Sequence, residues 1–334
     1  MRRGLHCASR SRDWRGLNQG EIRTGVVGLG YFGSFHARQH AANSKARLVA
    51  VVDADHSRAD SVAADHGAEP LFDHRDLIGR VDAVSITVPT SLHHAVAGDL
   101  LDAGIHVLIE KPIADSPEAA RDLISRAAAA GVVLQVGHIE RFSPVFGELS
   151  RAARDPRVVE LTRIGPWKGR AVDVDVVLDL MIHDIDLVLA LVGSPVLSVE
   201  AIGAAVRAPT NDFAHALLRF ENGAVAHLHA SRIADRQERT IRVVDPGRVL
   251  VADLAARTVS WTANGSDDRH EIAVPPSDNL ALEIDSFLDA VARRHAPVVD
   301  GEAGLRALDV AERITRAIKG PSPALEYSMN GVSS

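Results

Sequence analysis

Cys7 is the only cysteine in the 334-residue chain, so an intrachain disulfide and a cysteine-ligated metal cluster are both excluded. A reducing cytoplasm fits that count and is the expected location. Aromatic residues are scarce at 4%. The core must therefore be built from Val, Leu, Ile and Ala, which suit buried parallel strands flanked by helices. No apolar run approaches the roughly 20 residues that span a bilayer, so no membrane partner is expected. Positive charge is also in deficit: 37 Lys and Arg against 44 Asp and Glu give a net charge of −7. That balance argues against a nucleic-acid-binding surface. The first twenty residues run the other way, with Arg2, Arg3, Arg10, Arg12 and Arg15 against Asp13. They lack the apolar stretch of a secretory signal and read as a disordered extension. What remains, 46% hydrophobic and 24% charged, is an ordinary globular composition, long enough for two domains.

Strand and helix patterns alternate from residue 22 to about 137. Apolar runs at Ile22–Val27, Leu48–Val52, Ala83–Val88, His106–Ile109 and Val132–Val136 are separated by helical stretches at Ser34–Asn43, Ser57–His66, His93–Ala103 and Pro117–Ala130. Such spacing predicts βαβ units and a parallel, doubly wound sheet. Beyond about 140 the pattern changes. Helices are predicted at Pro144–Ala153 and Val177–Leu191, followed by strands at Val196–Ala201, Ala214–Phe220, Ala224–Ala230, Thr240–Val244, Val249–Ala252 and Arg257–Trp261. Asn222-Gly223 reads as a tight hairpin turn. Helices near Leu280–Arg293 and Glu302–Lys319 close the chain. The expected fold class is α/β: a Rossmann sheet over 21–140, then an α/β domain over 141–320 with a large, open, mostly antiparallel sheet, and a C-terminal tail over 321–334. One face of that open sheet needs covering, by helices or by another subunit.

Gly28-Leu29-Gly30-Tyr31-Phe32-Gly33 is G-x-G-x-x-G, placed after a strand and at the start of a helix. In that context the first glycine makes a tight turn, the second lets backbone approach a pyrophosphate, and the third allows close helix–strand packing. The diphosphate then rests on free N–H groups at the helix N-terminus. Asp53 ends the second strand, where a carboxylate accepts from ribose hydroxyls and repels a 2′-phosphate. NAD is therefore expected over NADP, with Arg58 nearby as a partial offset.

Glu110-Lys111-Pro112 follows the strand at 106–109, on the sheet edge where ligands bind. A lysine there can hold a substrate hydroxyl and favour loss of its proton, although most exposed lysines only solvate. Asp179 and His183 stand four residues apart on a predicted apolar helix and share its face. The imidazole can accept a proton near neutral pH. A structural hydrogen-bonding pair is the alternative, and Asp184 and Asp186 follow closely. No third ligand at metal-site spacing accompanies them, so no metal is expected. Arg141, Arg163, Arg170 and Arg232 are candidates for binding phosphate oxygens.

Taken in order, the glycine motif, Asp53, Thr87-Val88-Pro89-Thr90 with His93, Glu110-Lys111-Pro112, and Asp179 with His183 resemble the Gfo/Idh/MocA oxidoreductases from about residue 22 to 320. The resemblance implies that Lys111 and His183 flank the oxidised carbon with Asp179 assisting. It implies that Val88, Pro89 and His93 line the nicotinamide side. It further implies homodimers or homotetramers assembled through the C-terminal sheet. The segments Val136-Gly137-His138-Ile139-Glu140-Arg141-Phe142-Ser143-Pro144 and Asp179 to Asp186, with Arg163-Ile164-Gly165-Pro166, look like the branch containing UDP-N-acetylglucosamine 3-dehydrogenases. That branch implies a nucleotide-sugar substrate, with His138 and the arginines at its site. His227 and His229 depart from the pattern. Two other readings stay open: an enzyme acting on another sugar, an inositol or a keto-sugar, and a non-catalytic cofactor-binding sensor on the same scaffold.

Overall fold

The computed structural model describes residues 21–320, apart from 170–171, 264–265 and 267. The N-terminal extension, the C-terminal tail and Arg170 lie outside the described residues. The near-continuous apolar runs become parallel strands covered on both faces. They are β1 (Ile22–Val27), β2 (Ala46–Val52), β3 (Glu69–Leu71), β4 (Ala83–Ile86), β5 (His106–Glu110) and β6 (Leu134–Gly137), in the order β3-β2-β1-β4-β5-β6. Helices α1 (Tyr31–Ala42), α2 (His56–His66), α3 (Thr90–Asp102) and α4 (Pro117–Ala130) connect them. Local chemistry sets the helix ends. Ser116 accepts from the Ala119 amide, Pro117 opens α4, and Gly131 closes it in the left-handed conformation at φ 66°.

After α5 (Pro144–Ala152), strand β7 (Val158–Ile164) enters a second sheet. A turn of π-helix, Val177–Met181, leads into α6 (Ile182–Val192). Then follow β8 (Val196–Ala204), β9 (Phe213–Phe220), β10 (Val225–Ser231), β11 (Glu238–Asp245), β12 (Arg248–Asp253), β13 (Thr258–Ala263) and β14 (Arg269–Ala273). The sheet order is β14-β13-β12-β11-β7-β10-β9-β8, antiparallel throughout except for the parallel β7–β10 pair. Alternation in β9 and β10 sends Ala214, Ala216, Leu218, Ala226, Leu228 and Ala230 into a core shared with α5, α6 and the last helix. The opposite face carries a stacked His215–His229 pair beside Phe213.

Two closing helices return to the first sheet. In α7 (Asn279–Arg293), Ile284, Phe287, Leu288 and Val291 form one apolar stripe against Ile22, Ala83 and Leu108. In α8 (Gly301–Lys319), Ala303 and Leu308 belong to the first core and Ala307, Val310, Ala311 and Ile314 to the second. Gly304 permits that bridge, since a β-carbon there would stand 2.6 Å from a methyl of Val136. Among the described residues no helix is long and apolar enough to cross a membrane.

Candidate functional site

β1 ends in Val27, and the chain turns at Gly28 with φ +87°. A β-carbon at Gly28 would meet the Val88 amide nitrogen at 2.8 Å, and one at Gly33 would fall 1.8 Å from the Gly28 carbonyl oxygen. Gly30 differs: a β-carbon there would meet nothing within 4 Å. The first and third glycines are thus required by packing, and the second faces open space at the start of α1, whose first turn has no side-chain cap. That is a cradle suited to an anion. A cleft of about 640 Å³ opens there, walled by Gly28, Gly30, Asp53, Arg58, Val88 and Pro89. Leu29 puts its side chain into the core and donates its amide to Asp53 Oδ2 at 2.7 Å. Asp53 Oδ1 also accepts from the Asp55 amide at 2.9 Å, and Arg58 Nη1 donates to both carboxylate oxygens at 3.2 and 3.3 Å. Arg58 is therefore the partner of Asp53. Tyr31 and Phe32 project outward from the first turn of α1.

His93 is set behind the cleft wall, not on it. Its ring is buried between the Pro112 and Val88 carbonyl oxygens, each 2.9 Å from a ring nitrogen. Burial holds the imidazole below its ordinary pKa, so a neutral ring donates to one carbonyl and clamps the loops after β4 and β5.

Lys111 follows β5 through a cis Lys111–Pro112 peptide, and its Nζ donates to the main-chain oxygen of Asp179 at 2.8 Å. The helix read across 177–191 is divided here: the π turn holds Asp179 and the α-helix holds His183. A π turn displaces backbone groups from the regular ladder, a frequent device at functional sites. Here the Asp179 carbonyl of that turn accepts from the lysine. His183 Nδ1 is buried without a hydrogen-bond partner among the described residues, so that nitrogen does not bond Asp179. Burial, then the charges of Lys111 and Arg163, push the His183 pKa well below its ordinary value. The imidazole is therefore neutral at pH 7.

The arginines have work of their own. Arg163 on β7 is buried, donating to Asp184 Oδ1 at 2.8 and 3.0 Å and to Glu140 Oε1 at 2.7 Å. Arg141 donates to buried Asp186 at 3.1 Å. Arg232 donates to Asp212 Oδ1 at 2.6 Å and to the Val174 carbonyl at 2.9 Å, fixing the segment before the π turn. These three brace the site. His138 lies buried, with neither ring nitrogen bonded among the described residues.

Sequence reading missed a second pocket beside Asp179, walled by Trp167, Lys168, Leu180, Arg232, Gln237 and Arg239. The guanidinium carbons of Arg207 and Arg232 stand 5.9 and 5.6 Å from the Trp167 ring centre. Trp167-Lys168, directly after Pro166, was the available signal. Among the described residues no group of three or more His, Cys, Asp or Glu side chains is placed to hold a metal.

Comparison with known proteins agrees with this geometry. Residues 22–138 match the family described as "Oxidoreductase family, NAD-binding Rossmann fold", and residues 148–245 match the "GFO/IDH/MocA C-terminal domain". UDP-N-acetylglucosamine 3-dehydrogenase from Acidithiobacillus ferrooxidans is 39% identical over 307 residues, covering 89% of this chain and 97% of that protein. A crystal form of that enzyme superposes with a TM-score of 0.86 at 38% identity, covering 90% of this chain and 98% of the other. Inositol 2-dehydrogenase from Rhizobium meliloti is 29% identical, covering 89% of this chain and 97% of that protein.

Proposed function

The chain belongs to the Gfo/Idh/MocA oxidoreductase family, and from that premise we propose that it oxidises a sugar hydroxyl to a ketone, the sugar being UDP-N-acetylglucosamine and the position its 3-hydroxyl. Residues 21–140 hold NAD and residues 141–320 hold the sugar. The observation that carries the reading is the tether from Lys111 Nζ to the Asp179 carbonyl, which sets a cation beside neutral His183 at the carboxyl edge of the parallel sheet.

Gly28, Gly30 and Gly33 cradle the pyrophosphate of the dinucleotide, Asp53 takes its ribose hydroxyls, and Val88 and Pro89 wall the nicotinamide side. Once bound, the cofactor supplies the hydride acceptor. His183 takes the hydroxyl proton. Lys111 stabilises the negative charge developing on the oxygen, and the Asp179 main chain keeps the ammonium aimed at it. Asp179, which lines the second pocket, holds a neighbouring sugar hydroxyl with its carboxylate. The basic, tryptophan-bearing wall of that pocket suits a diphosphate and a flat base. This use of Trp167, Lys168 and Arg239 replaces the phosphate-binding role expected of the braced Arg141 and Arg163. The outer face of the second sheet, with Phe213, His215 and His229, packs against a second copy, giving a homodimer or homotetramer. The working location is the cytoplasm.

The test is NADH formation from NAD with UDP-N-acetylglucosamine, UDP-glucose, N-acetylglucosamine and myo-inositol in parallel. A glutamate-dependent aminotransferase is included to draw off the ketone. Turnover confined to the UDP-N-acetyl sugar supports the assignment. Turnover of myo-inositol alone moves the substrate to the inositol class.

A further inference from the structure

Behind Lys111 the polar groups do not end. Glu110, the last residue of β5, pairs across to Gly137 of β6, and His138, which follows Gly137 and opens the next short helix, lies near enough to Lys111 to feel its charge. Glu110 Oε1 lies 3.2 Å from His36 Nε2 of α1. From the other side α7 closes the seam. Gln135 Nε2 of β6 donates to the main-chain oxygen of Glu283 at 3.2 Å, fixing that residue's level against the sheet. Glu283 is fully buried, and its like-charged neighbours are Glu110 and Asp186. Both Glu283 carboxyl oxygens, both His138 nitrogens, Asp186 Oδ2 and His36 Nδ1 have no hydrogen-bond partner among the described residues.

Buried polar atoms in such number are satisfied by ordered water. The neighbouring carboxylates have partners of their own: Arg141 donates to Asp186, and Glu110 has the ring nitrogen of His36 at 3.2 Å and the charge of Lys111 close by. Among the described residues the Glu283 carboxyl group has neither a cation nor a hydrogen-bond partner, and a further negative charge buried in this seam is too costly to keep. It is therefore a neutral acid, with one donor and one acceptor to offer. Neutral imidazole at His138 has the same two-sided character. A group that accepts on one side while donating on the other is what passes a proton along.

We propose that His138 and Glu283 form a buried, water-bridged proton relay that carries the proton from His183 away from the reacting carbon. The proposal rests on the sugar-oxidation reading. The hydroxyl proton passes to the His183 imidazole as the carbon–hydrogen bond breaks and its electron pair leaves to NAD. His183 stands close to the cations of Lys111 and Arg163, so its imidazolium is unfavourable and the proton moves on. Through water, His138 takes it on one nitrogen and releases its own from the other. Glu283 accepts on its carbonyl oxygen and releases its hydroxyl proton to water. One proton enters, one leaves, and the seam keeps its charge. His138 and Glu283 are positioning residues that act through His183.

Glu283→Gln keeps the shape and can still donate to and accept from the bridging water, but cannot exchange a proton. The expected result is a kcat lowered about 10- to 100-fold. KM values for NAD and sugar should stay within about twofold, and the solvent deuterium isotope effect on kcat should rise above wild type. Glu283→Asp should recover part of the rate, and it serves in place of the glutamine variant should that one not fold. Wild-type kcat and isotope effect in Glu283→Gln would overturn the relay. A second readout needs no substrate. At pH 7 the wild-type protein should show the infrared carbonyl stretch of a neutral carboxylic acid, lost in Glu283→Gln. Absence of that band from wild type would overturn the relay whatever the turnover. A band with no turnover on any sugar would support the neutral acid and count against the sugar reaction instead.

Discussion

In the proposed cofactor site, discrimination between the two nicotinamide dinucleotides turns on Asp53, and Asp53→Ser isolates it. The carboxylate is held by two backbone amides, at 2.7 and 2.9 Å, and shared with Arg58 at 3.2 and 3.3 Å. Each hydrogen bond from a ribose hydroxyl to a carboxylate contributes about 1.5–3 kcal/mol. Part of that replaces the existing Arg58 contact, so a net loss of roughly 1.5–3 kcal/mol is expected, which weakens NADH binding about 10- to 100-fold. The effect on NADPH has the opposite sign. Two like charges about 4 Å apart repel by roughly 1–4 kcal/mol between bulk-water and surface screening. Removing Asp53 relieves that and releases Arg58 toward the 2′-phosphate. The NADH-to-NADPH preference should therefore fall by about 10²- to 10⁵-fold. Fluorescence titration of both reduced cofactors against wild type and Asp53→Ser measures it, with thermal melting to confirm the fold. A ratio that moves less than about threefold in a folded variant would refute the reasoning.

Gly33→Ala drives a methyl to 1.8 Å from the Gly28 carbonyl oxygen. The loop must open, and NADH affinity should fall at least about tenfold with a stability loss of roughly 1–3 kcal/mol, read by titration and urea unfolding. Arg163→Met leaves Asp184 and Glu140 with an uncompensated buried charge and should cost about 3–5 kcal/mol in the same unfolding experiment. Acid should destabilise the fold through its buried histidines. His40 is pushed down to about 3 and His106 to about 4, each by burial first, from the ordinary 6.5. Below 6.5 the unfolded chain binds protons that the native chain refuses, so stability falls as pH drops toward 4, by roughly 1 kcal/mol per pH unit per histidine. His40→Gln, which keeps a partner for Ser85, should flatten that slope in melting curves taken from pH 7 to 4.5.

Five strands of the first sheet were legible because they are short, mostly apolar and punctuated by helix-length segments, as at the wholly buried Ala83–Ile86; the three-residue edge strand β3, Glu69–Leu71, carries too little pattern and was missed. The second sheet was legible where alternation and a hairpin turn coincided, as at β9 and β10. Its central strand β7 was missed. Val158–Ile164 carries Glu160, Thr162 and Arg163, and the polar content of Arg163 makes sense only once Asp184 and Glu140 are seen to neutralise it in the core. β14 is exposed along its whole length, so no burial pattern marks it. At the site, Lys111, Asp179 and His183 were visible by spacing, but the π turn was not. Local periodicity cannot distinguish one inserted residue, and here the turn that holds it carries the carbonyl that accepts from Lys111. Glu283 was invisible for a related reason: in sequence it is one acid on an amphipathic helix, and only the return of α7 to the first sheet buries it.

The central claim is that His183 and Lys111 carry out proton removal and charge stabilisation at a sugar hydroxyl. The most direct test is NADH formation from NAD and UDP-N-acetylglucosamine, with the ketone trapped, in wild type, His183→Ala and Lys111→Ala, alongside NADH binding in all three. The account predicts wild-type turnover that falls about 10²- to 10⁴-fold in either variant while NADH affinity in His183→Ala is unchanged. Turnover that survives both substitutions near the wild-type rate would contradict it.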